Sequence, residues 1–540
     1  MPTDEELIEA LRVTRSDYSD EGEWMRFLFD SYTGTGGYAG RIKPPTYGFL
    51  GSAAEIYSSR LVLNSQSSKA DTYLDRFPRE EDTKFAQRQN VAHLDNYLAP
   101  IFDLFLSYTN GAQSTYDSVP PTVTEWQKDV TGTGVSWDQL LHEVVRPRGA
   151  LLGWCPVLFD RDSAPEGTVA VTKADEQQLK LQLRAVPLFP SNVLDWEIDE
   201  KTGALVWVKI RTCHKRRVDP LMSAEEYEEF RIFTATEFSV YRVRKTSGAE
   251  TVERDKENAP HSFGAVPMVS FRNKPTPGDN MRGVSMVSEI ATAQRRLFNL
   301  HSELDEHIRA SVFAILGVPM KDTTEETGSV VGGNGTVIKV PMDSRLPLHF
   351  VAPPETVAGT LETRIGNTVR EIYRVMNAPY ENDKGGAQSG TALAQKLDGT
   401  NRKIAGAVRS FALSEQTSLR LVAKADGSAE AASTLTVAPQ RDFRIDDVAT
   451  DIANAVAAAG LPGMPAIAKT MILERVLEKM LPNLTDEMKT AIKAALAAEA
   501  VKLAQAAEAA PEPQKPAPGG NNAPPEDNTK DDQAPADKAA

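Results

Sequence analysis

The stretch VSMVSEIATAQRRLFNLHSELDEHIRASV, residues 284–312, repeats apolar side chains at Ile290, Ala293, Leu297, Leu300, Leu304, Ile308 and Val312. A spacing of three or four residues returns a side chain to one face of a 3.6-residue turn, so it predicts one amphipathic helix. At about 1.5 Å per residue the helix would be about 40 Å long. Gly317 and Pro319 are expected to stop it. A second stripe, Val357, Leu361, Ile365, Val369, Ile372 and Met376, predicts a helix over residues 356–376. Between the two, β-branched runs lie on either side of Gly332-Gly333-Asn334-Gly335, a hairpin signal leading into Val337-Ile338-Lys339-Val340, and Pro353-Pro354 closes the insert. Two long helices therefore flank one compact β segment.

Working outward, a polar glycine-bearing loop over residues 380–390 precedes a third stripe, Leu393, Leu397, Ile404, Val408, Phe411, Leu419 and Val422, whose helix Ser389 or Thr391 would cap. Residues 435–445 read as one or two strands. Residues 446–510 read as helix rich in Ala, Glu and Lys, and residues 511–540 have too little to bury to be ordered. On the N-terminal side, Phe85, Val91, Leu94, Leu98, Ile101, Phe102, Phe105 and Leu106 predict one or two helices within residues 71–108. Three short β-rich runs, residues 193–198, 205–210 and 238–243, alternate apolar with polar positions and predict an antiparallel sheet. The fold class is expected to be α+β.

The 540 residues leave room for about three or four domain-sized units or one large elaborated fold. Lys and Arg total 60 against 75 Asp and Glu, a formal charge of −15 that argues against gripping nucleic acid over a broad surface, though not against DNA sliding past. Cys155 and Cys213 give neither a disulfide framework nor a cysteine zinc site, and a reducing cytosol fits them. No basic segment followed by an apolar run opens the chain, and no run approaches the roughly 18 apolar residues of a membrane span, so neither a signal peptide nor a membrane role is expected.

Few side chains suggest bond-making chemistry. His301, Glu303, Asp305 and His307 cluster in sequence, but on a helix the two histidines stand about 600° apart, so a solvated face is expected over a metal site. The glycines of residues 34–40 and 331–335 lack the Gly-Lys-Ser/Thr ending of a phosphate loop and read as a flexible loop and a turn. Cys155 lies in an apolar neighbourhood without a nearby histidine and reads as a buried structural thiol. The run His214-Lys215-Arg216-Arg217 is either a solvated turn between strands or a contact for phosphate or a neighbouring subunit's acidic face.

The order of elements, with Tyr73-Leu74-Asp75-Arg76-Phe77-Pro78-Arg79-Glu80 followed by Arg88 and Asn96-Tyr97, then Gly264-Ala265-Val266-Pro267-Met268-Val269, Arg282-Gly283-Val284-Ser285 and Ala387-Gln388-Ser389-Gly390-Thr391-Ala392-Leu393, resembles the tailed-bacteriophage portal protein family. The resemblance implies a portal-type α+β fold. Residues 1–283 would form an N-terminal wing, 284–312 and 356–377 two stem helices, and 313–355 a clip. Residues 378–390 would be a tunnel loop, 391–445 the long wing helix and strands, 446–510 a helical crown, and 511–540 a disordered tail. It further implies a homo-oligomeric ring of about twelve copies around double-stranded DNA, in which Tyr380, Asn382, Lys384 and Gln388 face the DNA. Lys321, Asn334, Lys339 and Arg345 would meet the terminase large subunit and later the tail adaptor or head-completion protein. The major capsid protein and scaffold would be further partners, the virion portal vertex the location after assembly in the host cytoplasm, and no cofactor or catalytic group is implied. An acidic channel would let the phosphate backbone slide. Two other readings stand beside it. A nuclease-like enzyme lacks a credible paired-carboxylate or histidine constellation, and a scaffold or other virion assembly protein does not need two long helices bracketing a β insert.

Overall fold

In a computed structural model of the chain, the described residues are 3–16, 18, 21–38, 72–111, 114–162, 181–216, 225–246, 249–312, 315–320, 337–341, 349–351, 354–376, 378 and 390–439, with isolated helical positions between 457 and 498. The chain divides into two units, Met1–Arg444 and Ile445–Ala540. The first contains helices α1 (Asp4–Arg12), α2 (Glu21–Thr33), α3 (Asp82–Val91), α4 (Leu98–Asn110), α5 (Pro121–Trp126), α6 (Trp137–Leu140), α7 (Arg146–Leu152), α8 (Ser288–Val312), α9 (Glu355–Met376), α10 (Gly390–Ala425) and α11 (Ala429–Thr434). A single π turn, Leu141–Val145, joins α6 to α7. The fold is α+β, with mostly antiparallel sheets and three long helices.

The largest sheet is a meander of five strands in chain order, β4 (Val193–Ile198), β5 (Leu205–Arg216), β6 (Glu225–Thr234), β7 (Glu237–Thr246) and β8 (Ala249–Pro260), every pair antiparallel. Its register follows charge as much as burial. Lys215 and Arg216 of β5 sit opposite Glu226 and Glu225 of β6, Glu229 opposite Arg242 of β7, and Arg242 opposite Glu253 of β8. Opposite charges on facing positions favour this pairing. The basic run at residues 214–216 therefore continues a strand instead of forming a turn. Glu229, only 3% exposed, joins Arg231 and Arg242, and Arg242 reaches Asp255, so the charge ladder spans three strands. The amphipathic α1 lays Ile8 and Leu11 against Leu194, Phe230 and Val243 of this sheet. Arg12 ties it down through Glu228 and Glu250, each at 2.8 Å.

A second antiparallel sheet has β2 (Trp154–Arg161) between β3 (Leu183–Pro187) and β9 (Met268–Arg272). The first six residues of β2 are all buried, as a strand covered on both faces should be. The long α10 crosses β9, and its Ser410 and Ser414 donate hydrogen bonds to the carbonyls of Arg272 and Ser270 at 2.6 and 2.8 Å. Trp137, Trp154, Phe159, Phe271 and Phe411 fill the core between these layers. Cys155 belongs to that core, and burial pushes its thiol up to about 12. Where β2 begins, Gly153 (φ +97°) abuts Gly283. A Cβ on Gly153 would lie 2.3 Å from the Gly283 carbonyl oxygen, and one on Gly283 would lie 2.5 Å from that of Gly153, so both positions require glycine.

The chain reaches α8 through two short strands, β10 (Lys274–Thr276) and β11 (Asp279–Val284). The helix starts at Ser288, four residues later than the apolar stripe suggests, because Val284 ends β11 and Val287 is buried in the turn before the helix. Helix α8 ends at Val312; Gly317 and Pro319 lie within the next strand, β12 (Ile315–Met320). That strand pairs parallel with β13 (Val337–Pro341) and antiparallel with β14 (His349–Val351). The parallel pairing needs a crossover rather than a tight turn between β12 and β13; residues 330–335, which carry the hairpin signal, lie outside the described residues. The last strand, β15 (Thr436–Ala438), pairs with β1 (Thr115–Asp117).

Candidate functional site

Helices α8 and α9 form an antiparallel hairpin. Thr292, Ala293 and Arg296 of α8 line a groove with Arg364, Asn367, Thr368 and Glu371 of α9, and Glu289 acts on Arg374 at the base. Burial is graded along it. The buried residues of α8 run from Ile290 to Ser302, and none follows over the next ten positions. On α9, Thr368, Val369, Ile372 and Met376 are buried at the same end, with Leu361 packed higher up. At the far end Ile308, Val312 and Val357 are 47%, 66% and 42% exposed. The hairpin is thus rooted at one end, and its other end, leading into β12, β13 and β14, presents apolar side chains to solvent.

The root is held by polar side chains set into the apolar stripe. Gln294, fully buried, accepts hydrogen bonds from the backbone N–H groups of Tyr97 and Leu98 at 3.0 and 2.9 Å, and donates to the Ser31 carbonyl at 2.6 Å. It thereby supplies partners to N–H groups at the start of α4, which an isolated helix leaves unpaired. Asn299 accepts from the Asp75 N–H at 2.6 Å and donates to the Tyr73 carbonyl at 3.1 Å. Arg88 is 2% exposed, stands 3.8 Å from the centre of the Phe77 ring, pairs with Glu80 at 2.8 Å, and donates to Ser302 Oγ and the Asp75 carbonyl. The Arg88 guanidinium holds the Glu80 carboxyl below its ordinary value. Residues 73–80, Arg88 and Asn96-Tyr97, quoted above for the resemblance, converge on the root of α8. Gln294, Asn299 and Ser302 escaped the sequence reading, although three polar residues on or beside an apolar stripe were the available signal.

Of the residues singled out from sequence, Tyr380, Asn382, Lys384 and Gln388 lie outside the described residues, as do Lys321, Asn334 and Arg345, the N-cap candidate Ser389 and nearly all of residues 446–540. Thr391 falls inside α10, past its start at Gly390. Lys339 is the central residue of β13, its backbone opposite Val318. His301 pairs with Asp95 at 3.0 Å. Among the described residues no three His, Cys, Asp or Glu side chains converge as metal ligands, and no helix is long and apolar enough to cross a membrane. Neither a protein-family model nor a curated protein matches this sequence.

Proposed function

We propose that this chain is the subunit of a portal ring, through which double-stranded DNA is packaged into a tailed-phage capsid and later ejected. The observation that carries the reading is the hairpin α8–α9, rooted by buried polar contacts and bearing a small mixed sheet between its helices at the exposed end. A single chain gains nothing from leaving Ile308, Val312 and Val357 in water at the end of two long helices. Identical hairpins standing side by side around an axis would cover them. In this reading the hairpin is the stem, β12, β13 and β14 belong to the clip that docks the terminase large subunit and then the tail adaptor or head-completion protein, and α10 is the wing helix. Residues 378–390 face the DNA, and the crown side meets capsid protein and scaffold within the virion. The role is passive, a conduit and docking ring, with ATP spent by a separate motor.

The full-length chain, purified alone, should form closed rings of about twelve copies by mass photometry and averaged electron micrographs, with a hole that admits a duplex about 20 Å across. A monomer or small oligomer at every salt concentration would overturn the reading.

A further inference from the structure

The groove along α8–α9 contains an unusual pair. Arg296 and Arg364 are both exposed, both line the groove, and neither guanidinium makes a hydrogen bond or ion pair among the described residues. The groove widens toward α2, where Trp24 is 39% exposed and Arg26 and Arg295 join the wall. Arginine and tryptophan are the side chains most enriched where binding energy concentrates in protein interfaces. The far side of the hairpin has the opposite character. Asp305 is nine residues beyond Arg296 on α8, about 180° around the helix, and Glu362 is two residues before Arg364 on α9, about 200° around. Both carboxylates are exposed and without a partner among the described residues. Gly359 and Gly366, three and four residues from Glu362 and so on its face, have open space around them: a Cβ at either would meet nothing within 4 Å. One face of the hairpin thus offers two unpaired guanidinium groups, and the opposite face two unpaired carboxylates with a low-relief surface beside one of them.

We propose that the arginine face of one subunit's hairpin docks on the carboxylate face of the next, Arg296 and Arg364 engaging Asp305 and Glu362 of a second copy. Complementary patches on opposite sides of one element make a head-to-tail contact, which propagates and closes into a ring instead of stopping at a two-fold dimer. The inference rests on the ring reading and adds its pairing chemistry. A DNA strand is the weaker occupant, because its continuous run of phosphates would meet Glu23, Asp75 and Glu303 as well as the arginines, whereas two discrete carboxylates can be set against the arginines alone.

The test uses two full-length variants, R296E/R364E and D305R/E362R, with all four substitutions at exposed positions so that each chain keeps the wild-type melting curve. Each variant alone sets like charges against each other at every contact and should need about tenfold or more protein to form rings. Mixed one to one, alternating copies again set opposite charges face to face, and rings should return. If both variants assemble like wild type, the pairing is wrong while the ring reading stands. If each fails and the mixture does not recover, the pairing is also wrong, and loss of duplex retention by R296E/R364E in a filter-binding assay would assign the arginines to DNA. If wild type itself never forms rings, both ideas fall together.

Discussion

Glu415, on α10, is 1% exposed and yet carries a carboxyl group. Tyr116 from β1 donates to it at 2.6 Å, Arg146 at the start of α7 stands 3.8 Å away, and Trp137 and Asp138 of α6 lie beside it. Burial raises its pKa above the ordinary carboxylate value, outweighing Tyr116 and Arg146. A carboxyl so raised binds its proton more tightly in the folded than in the unfolded chain. Its contribution is fully present below the ordinary carboxylate pKa and drains away as pH rises through the higher folded value. Glu415→Gln keeps the hydrogen-bond acceptor for Tyr116 and removes the titration. Relative to this variant, wild type should melt higher in acid and lose that advantage toward neutral pH. A difference in melting temperature that stays constant from acid to neutral would show that Glu415 does not titrate in this way. The sequence offered no hint of the cluster, because its members lie about 300 residues apart and Glu415 sits among polar neighbours that look like a solvated helix face.

At the scale of elements, the three long helices were legible because a 3.6-residue period survives over twenty or more residues. The sheets were legible only where alternation was apolar. Strands β6 and β8, EEYEEFRIFT and AETVERDKENAP, are dominated by charge and pass for loops until their acidic residues are set against the basic ends of β5 and β7. The parallel partner of β12 is a long-range choice that no local pattern encodes. The clamp at the root of α8 was hidden for a related reason: Gln294 on an apolar stripe reads as an interruption, whereas in the fold it serves three backbone groups on two other elements. Gln294→Met preserves length and helix propensity and takes away the partner of the buried Leu98 N–H and of the buried Ser31 carbonyl, a loss of about 1–3 kcal/mol for each group stranded. We expect a fall in unfolding midpoint together with faster amide exchange at the first turn of α4, followed by hydrogen–deuterium exchange. Unchanged exchange at Tyr97 and Leu98 alongside a lower midpoint would mean that the residue acts by packing alone.

For the molecule as a whole, net charge was a poor guide to where charge lies. The chain carries −15, but α8 and α9 together hold seven carboxylates against six arginines, so the acidic excess is not on the hairpin. The sliding of DNA therefore finds no support in an acidic stem. What distinguishes the hairpin is the placing of Arg296 and Arg364 on the face opposite Asp305 and Glu362, and the apolar side chains at its far end. These two features separate folding from assembly. Ile308 and Val312 contribute little to the fold of one chain, since both are among its exposed side chains there; replacing them with serine should move the melting temperature of the unassembled chain by no more than a surface substitution does, within about 0.5 kcal/mol. In a ring the same side chains would be covered at every contact, and burying each would be worth about 1.5–3 kcal/mol at most. I308S/V312S should therefore raise the protein concentration needed for rings, and high salt should not mask the defect, because screening weakens charge pairing and leaves apolar burial intact. Mass photometry across a dilution series at low and high salt measures this directly. A variant that melts several degrees lower as a monomer and assembles as wild type does would place these residues inside the fold of the single chain, and the stem would then have to be held together by charge.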